Sequence, residues 1–98
     1  MIRHCVLFRW APDATEEARS SVFDGLAALA ARLDGVFERY TFGPDAGLND
    51  GTWDVAIVAD FADRAAYETY RDDAGHRELI AETIRPAISE RAAVQLEL

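Results

Sequence analysis

The chain contains no lysine: all ten of its basic residues are arginine. That removes lysine Schiff-base chemistry and the lysine of a phosphate-binding loop from consideration. Cysteine occurs once, at Cys5, so neither an internal disulfide nor a thiolate zinc cage can be built. No segment approaches the roughly 20 consecutive apolar residues of a membrane span, and Met1-Ile2-Arg3-His4 lacks the layout of a secretion signal. A cytoplasmic protein without membrane contact is expected. Positive charge is also scarce, with eighteen acids against ten arginines and a net charge of -8. Such a chain repels phosphate backbones, which argues against a nucleic-acid partner.

What is present is one ordinary domain, residues 1–98, with 50% hydrophobic residues and no repeat or linker. Residues 1 to 10 alternate, with Ile2, His4, Val6, Phe8 and Trp10 on one side and Arg3, Cys5, Leu7 and Arg9 on the other, as in a strand that Pro12 ends. Asp13 or Thr15 can cap a helix over 15 to 33, where Val22, Phe23, Leu26, Leu29, Ala30 and Leu33 share a face and Gly35 supplies the stop. Strands are expected over 36 to 42 and 52 to 61, separated by the turn-rich GPDAGLNDG. Asp63 caps a helix over 64 to 72. Gly75 then interrupts, and a further helix runs from 76 to 85 until Pro86. Alternation returns in a last strand near 91 to 98, with Ala92, Val94, Leu96 and Leu98 on one side.

The order βαββαβ predicts an α+β, ferredoxin-like domain: a four-stranded antiparallel sheet with its helices on one face. Cys5, Leu7, Phe37, Thr41, Ala56 and Val58 are expected on the other face, mixed with Arg3, Arg9, Arg39, Asp54 and Gln95. That face is too apolar to be left in water. A homodimer packed sheet to sheet would cover it, with Asp54 and Asp60 pairing arginines across the interface.

The segments IRHCVLFRWAPDAT, FGPDAGLNDGTWDVAIVADFAD and AYETYRDDAGH resemble the stress-responsive A/B barrel (Dabb) family over nearly the whole chain. The resemblance implies a ferredoxin-like monomer that forms a dimeric α+β barrel. Its members include stress-induced proteins and a plant polyketide cyclase that closes an aromatic ring without metal or organic cofactor. By that likeness, His76 and Tyr70 handle proton transfer, with His4 as a pocket neighbour. The family commonly carries Tyr-x-x-His-Pro-x-His where this chain reads Tyr70-Arg71-Asp72-Asp73-Ala74-Gly75-His76. Asp73 stands at the first His position and Ala74 at the Pro, which implies a looser lead-in to the helix that carries His76.

His76 begins a predicted helix, whose dipole favours a neutral imidazole able to act as base; the alternative is a cap or packing role. Tyr70 and Tyr67 share a helix face over the sheet, so the Tyr70 phenol can orient a substrate oxygen or serve only as a buried aromatic. His4 points into the apolar layer of strand 1 and requires a hydrogen-bond partner there. With Phe8, Phe23 and Tyr67 it is expected to line a ligand pocket between helices and sheet. Asp45, Asn49 and Asp50-Gly51 miss the spacing of a calcium loop. Asp72, Asp73 and His76 could hold a hard cation such as Mg²⁺ only weakly, and a solvated loop is the expectation. Neither metal nor cofactor is called for, and Cys5 reads as a small hydrophobe.

Two readings follow from these residues. The first is a cofactor-free enzyme of cyclase or isomerase type, acting on a small carbonyl compound with His76 as base and Tyr70 as the orienting group. The second is a non-catalytic dimer, stress-protective or ligand-carrying, in which the histidines are structural.

Overall fold

Alternation along residues 2 to 10 becomes β1 (Ile2–Trp10) in the computed structural model, which describes residues 1–98. His4, Val6 and Phe8 are buried beneath the helices. Thr15 caps α1 (Glu16–Arg32), its hydroxyl accepting from the Ala18 N–H at 3.1 Å. Val22, Leu26 and Leu29 form the buried stripe of α1. Beyond Leu33 the chain turns through Gly35, whose φ of 93° suits glycine. Strand β2 (Arg39–Pro44) starts later than the aromatic run predicts, because Val36 and Phe37 lie in the turn that follows Gly35. β3 spans Val55–Phe61, and the segment ahead of it, which ends in Asp54, lies outside the strand.

Asp63 caps α2 (Arg64–Asp72), accepting from the Ala66 N–H at 2.9 Å. The break before the next helix falls at Asp73 rather than Gly75, since the Asp73 carboxylate accepts the His76 backbone N–H at 2.8 Å and starts α3 (Ala74–Leu79). Helix continues through a wide π turn, Ile80–Ile84, and a final α turn, Arg85–Ala87. Pro86 therefore does not end it. Having no N–H for the Glu82 carbonyl and a ring that would press on it, Pro86 follows a turn in which the Arg85 N–H reaches back to Ile80. β4 (Ile88–Glu97) then runs back along β1.

The sheet order is β2-β3-β1-β4, all antiparallel, the ferredoxin-like topology. Val6, Phe8, Val55 and Ile57 from the sheet meet Val22, Leu26 and Ile84 from the helices in one core cluster. Phe61, Ala59 and Tyr70 meet Leu29 and Leu33 in a second. Gly25 lets α1 approach α3, since a side chain there would strike Leu79.

The second face differs from expectation in the phase of β4. Arg9 pairs with Glu90 but Trp10 with Ile88, so Ser89 is an extra residue, a β-bulge. Its hydroxyl donates to the Trp10 carbonyl at 3.2 Å. One inserted residue reverses the parity of everything after it. Gln95, opposite His4, and Arg91, opposite Phe8, consequently lie on the helix side. Ala92, Val94 and Leu96 join Cys5, Leu7, Ala56 and Val58 on the outer face, where Leu7, Val94 and Leu96 are 38%, 57% and 46% exposed. Phe37 also moves to the helix side, its ring 4.8 Å from Tyr40 and 6.5 Å from Phe61.

Neither aspartate waits for a partner from another molecule. Asp60 is buried and accepts two hydrogen bonds from Arg3 of the same chain, at 2.8 and 3.0 Å, which hold its carboxyl below the usual range. Asp54 accepts the Trp10 backbone N–H at 2.8 Å.

Candidate functional site

A cavity of about 490 Å³ lies between the β1–β4 side of the sheet and the run from α2 to the last helical turn. Val6, Phe8, Ile57, Leu26, Ile80 and Ile84 supply its apolar surface. His4, Tyr67, Tyr70 and His76 bring polar atoms into it, and Arg71, Arg85 and Arg91 add positive charge. A cavity of a few hundred cubic ångströms, mostly apolar with a few polar groups, is the usual form of a small-molecule site.

Of the six residues read from sequence, His4, Phe8, Tyr67, Tyr70 and His76 line this cavity, and Phe23 does not. Phe23 sits ~100° around α1 from Val22, which turns its ring toward Trp10 and Phe42 at 5.8 and 6.4 Å. It is part of the wall that supports the sheet.

His76 lies against Tyr70, ring centroids 4.2 Å apart. Burial lowers its pKa, against the opposing pull of the Arg71 carbonyl and the Asp73 carboxylate, so the ring is neutral near pH 7. Nδ1 is 3.4 Å from the Arg71 carbonyl. Since a carbonyl can only accept, that contact puts the hydrogen on Nδ1 and leaves Nε2 as the basic nitrogen. The neutral state therefore arises from burial more than from the helix dipole.

Tyr70 is buried, and its hydroxyl shares a 3.1 Å hydrogen bond with that of Tyr40. Burial and its neighbours Tyr40 and Tyr67 push its pKa up, so the phenol stays protonated and can serve as donor but not as base. When Tyr40 donates in that pair, the Tyr70 hydrogen is free for another acceptor.

His4 finds the partner its burial requires in Gln95, whose amide Nε2 is 3.1 Å from Nδ1 and 2.9 Å from the Tyr67 hydroxyl. With both amide hydrogens donated, His4 carries its own hydrogen on Nε2. Burial, then Arg91, then His76 push its pKa down to about 4. The site thus holds two neutral histidines beside three tyrosines, Tyr40, Tyr67 and Tyr70.

Asp72 and Asp73 are engaged by arginines. Asp72 takes Arg71 at 2.8 and 3.0 Å and Arg77 at 3.0 Å, and is held at about 2. Asp73 takes Arg32 of α1, at 3.1 Å through Nη1, together with the His76 N–H, and is also held at about 2. The segment ahead of His76 is accordingly tied to α1 by charge.

Gln95, Tyr40 and Arg91 are the site residues that alternation does not reveal. The signal available for Gln95 was the buried His4 itself, which needs a cross-strand partner. Nothing local marks the bulge that supplies it.

A ferredoxin-like sheet carrying a half-polar cavity under its helices defines the class of this protein. The family model described as the stress responsive A/B barrel domain matches residues 2–98, and the chain belongs to that family. A dimeric ferredoxin-like protein of unknown function from Thermobifida fusca is 37% identical, with a TM-score of 0.89 over 99% of this chain and 90% of that one. A Dabb family protein from Mesorhizobium loti is 19% identical, with a TM-score of 0.78 over 99% and 95%. The hydroxynitrile lyase of Passiflora edulis is 15% identical, with a TM-score of 0.82 over 99% and 92%. No curated protein matches this chain. No helix is long and apolar enough to cross a membrane.

Proposed function

We propose that this protein is a homodimer that binds a small carbonyl compound in the helix–sheet cavity and catalyses cofactor-free proton transfer on it. The observation that carries the reading is the neutral His76 ring lying 4.2 Å from Tyr70 inside a mostly apolar cavity of about 490 Å³. His76 Nε2 takes a proton from the carbon next to the carbonyl, or from a hydroxyl on a carbon that is to become a carbonyl. Tyr70 donates a hydrogen bond to the oxygen on which negative charge gathers. Return of the His76 proton to carbon or to the leaving group completes isomerisation, ring closure or cleavage. Hydroxynitrile cleavage belongs to the same class: the base removes the hydroxyl proton, the C=O bond forms and cyanide leaves. One fold neighbour bears that activity in its name.

The sheet face supports the homodimer. Its apolar residues are exposed in a single chain, and two of its arginines are already paired within the chain: Arg3 by Asp60, and Arg9 by Glu90 at 2.8 Å and by the Trp53 ring at 4.4 Å. Neighbours of this fold are described as dimeric. A lone free Cys5 fits a reducing, cytoplasmic setting.

The second reading, a ligand carrier without turnover, draws on the same partners: Tyr70 is occupied by Tyr40 and His4 by Gln95. Incubation with 2-tetralone in D₂O, followed by proton NMR, and with mandelonitrile, followed by release of benzaldehyde, separates the two. Catalysis predicts exchange or cleavage above the buffer rate. His76→Gln should lower it by about 10² to 10⁴-fold and Tyr70→Phe by about 10²-fold, with the fold intact by circular dichroism. Binding of these compounds without turnover would favour the carrier, and unchanged rates in His76→Gln would remove His76 as base.

A further inference from the structure

Acids outnumber arginines by eighteen to ten in this chain, so each guanidinium has carboxylates to choose from. Six arginines, Arg3, Arg9, Arg32, Arg64, Arg71 and Arg77, form ion pairs. Arg39 lies within the field of Asp60, and Arg19 rests on the Trp10 ring at 5.6 Å. Of the four arginines outside any ion pair, Arg85 and Arg91 are the two that line the same cavity.

They reach it from opposite sides. Arg91 comes from β4, on the helix side of the sheet because of the bulge at Ser89. Arg85 follows the π turn, five residues after Ile80 and one after Ile84, which also line the cavity. The one carboxylate of the lining, Glu90, is taken by Arg9 at 2.8 Å. The third arginine of the lining, Arg71, is neutralised by Asp72. The positive charge of Arg91 is felt inside the cavity, where it lowers the pKa of His4 and His76.

We propose that the ligand of this cavity carries a carboxylate, bound at the mouth by Arg91 and Arg85, with its apolar body against Phe8 and Ile84. This deepens the reading of the cavity as a ligand site and rests on it. A guanidinium offers two parallel donors that match a carboxylate, and exposed arginines at a mouth can hold such an end without its full desolvation.

Titration calorimetry with 2-naphthoate and the neutral, equally shaped 2-naphthamide tests the proposal, with proton NMR of the two histidine rings to locate binding. The wild type should bind naphthoate about tenfold more tightly than naphthamide, and both compounds should shift the His4 and His76 ring signals. In Arg85→Gln/Arg91→Gln, two changes at exposed positions, that preference should vanish, with naphthoate losing about ten times more affinity than naphthamide. Equal affinities in the wild type, or a preference that survives the double change, would overturn the carboxylate assignment and leave the cavity as a neutral-ligand site. Tighter binding of 2-naphthyl phosphate than of naphthoate would overturn it in favour of a phosphate ligand. Failure of every compound to shift the histidine signals would overturn the ligand-site reading and this inference together.

Discussion

Protonating His4 works against the fold. Its pKa is about 4 in the folded chain, against roughly 6.5 for an unfolded histidine. Between those values the unfolded state binds the proton and the folded state does not, so stability rises with pH through this window. His4 costs nothing above about pH 6.5, and the penalty is complete below about 4, on the order of 3 kcal/mol. His76, shifted in the same direction, adds to the slope. Urea unfolding of wild type and His4→Gln at pH 7 and pH 4.5 should therefore show a smaller loss on acidification in the variant; equal losses would deny His4 this role. His4 is legible in the sequence because a titratable side chain at an apolar period is conspicuous, whereas Tyr70 and His76 are picked out by the resemblance of their segment to the family. Gln95 is not, since a polar residue in an edge strand looks like solvent-facing surface until its neighbour is known.

Elements bounded by their own caps are the ones that sequence predicts well. Thr15 and Asp63 each accept a backbone N–H three residues on, and α1 and α2 begin where those side chains say they should. The region from Asp73 to Ala87 is harder to read because two local rules meet a tertiary constraint. Asp73 serves as cap and as partner of Arg32 at once, and Pro86 is accommodated by a widened turn instead of ending the helix. Asp73→Ala removes the cap and the tie to α1 together. It should lower Tm by several degrees and loosen His76, seen as a weakened contact between the His76 and Tyr70 rings in nuclear Overhauser spectra. Asp73→Asn keeps a capping oxygen but loses the charge, and should fall between wild type and Asp73→Ala. A wild-type Tm for Asp73→Ala would mean that packing alone holds α3 in place.

On the scale of the whole molecule, the chain has two faces with different duties: a cavity under the helices and an apolar sheet surface opposite. If the latter is the homodimer interface, Val94→Asp sets a charge among Cys5, Leu7 and Val58 and should convert the protein to monomer in light scattering at micromolar concentration. Because Val94 lies away from the cavity, any ligand binding should persist in the monomer. A stable dimer in that variant would place the interface elsewhere. Strand order and helix placement follow from chain order and hydrophobic period, so this architecture is legible from the sequence. The assignment of β4 residues to faces is not, since it depends on Ser89. Were Ser89 a regular, paired member of the strand instead of a bulge, Glu90, Ala92, Val94 and Leu96 would look into the cavity, while Arg91 and Gln95 would look outward. A single serine thus fixes, in the same stroke, the chemistry offered to a ligand and the surface offered to another copy. Loss of the bulge with the serine retained would alter both properties together, so neither can drift through such a change while the other stays constant.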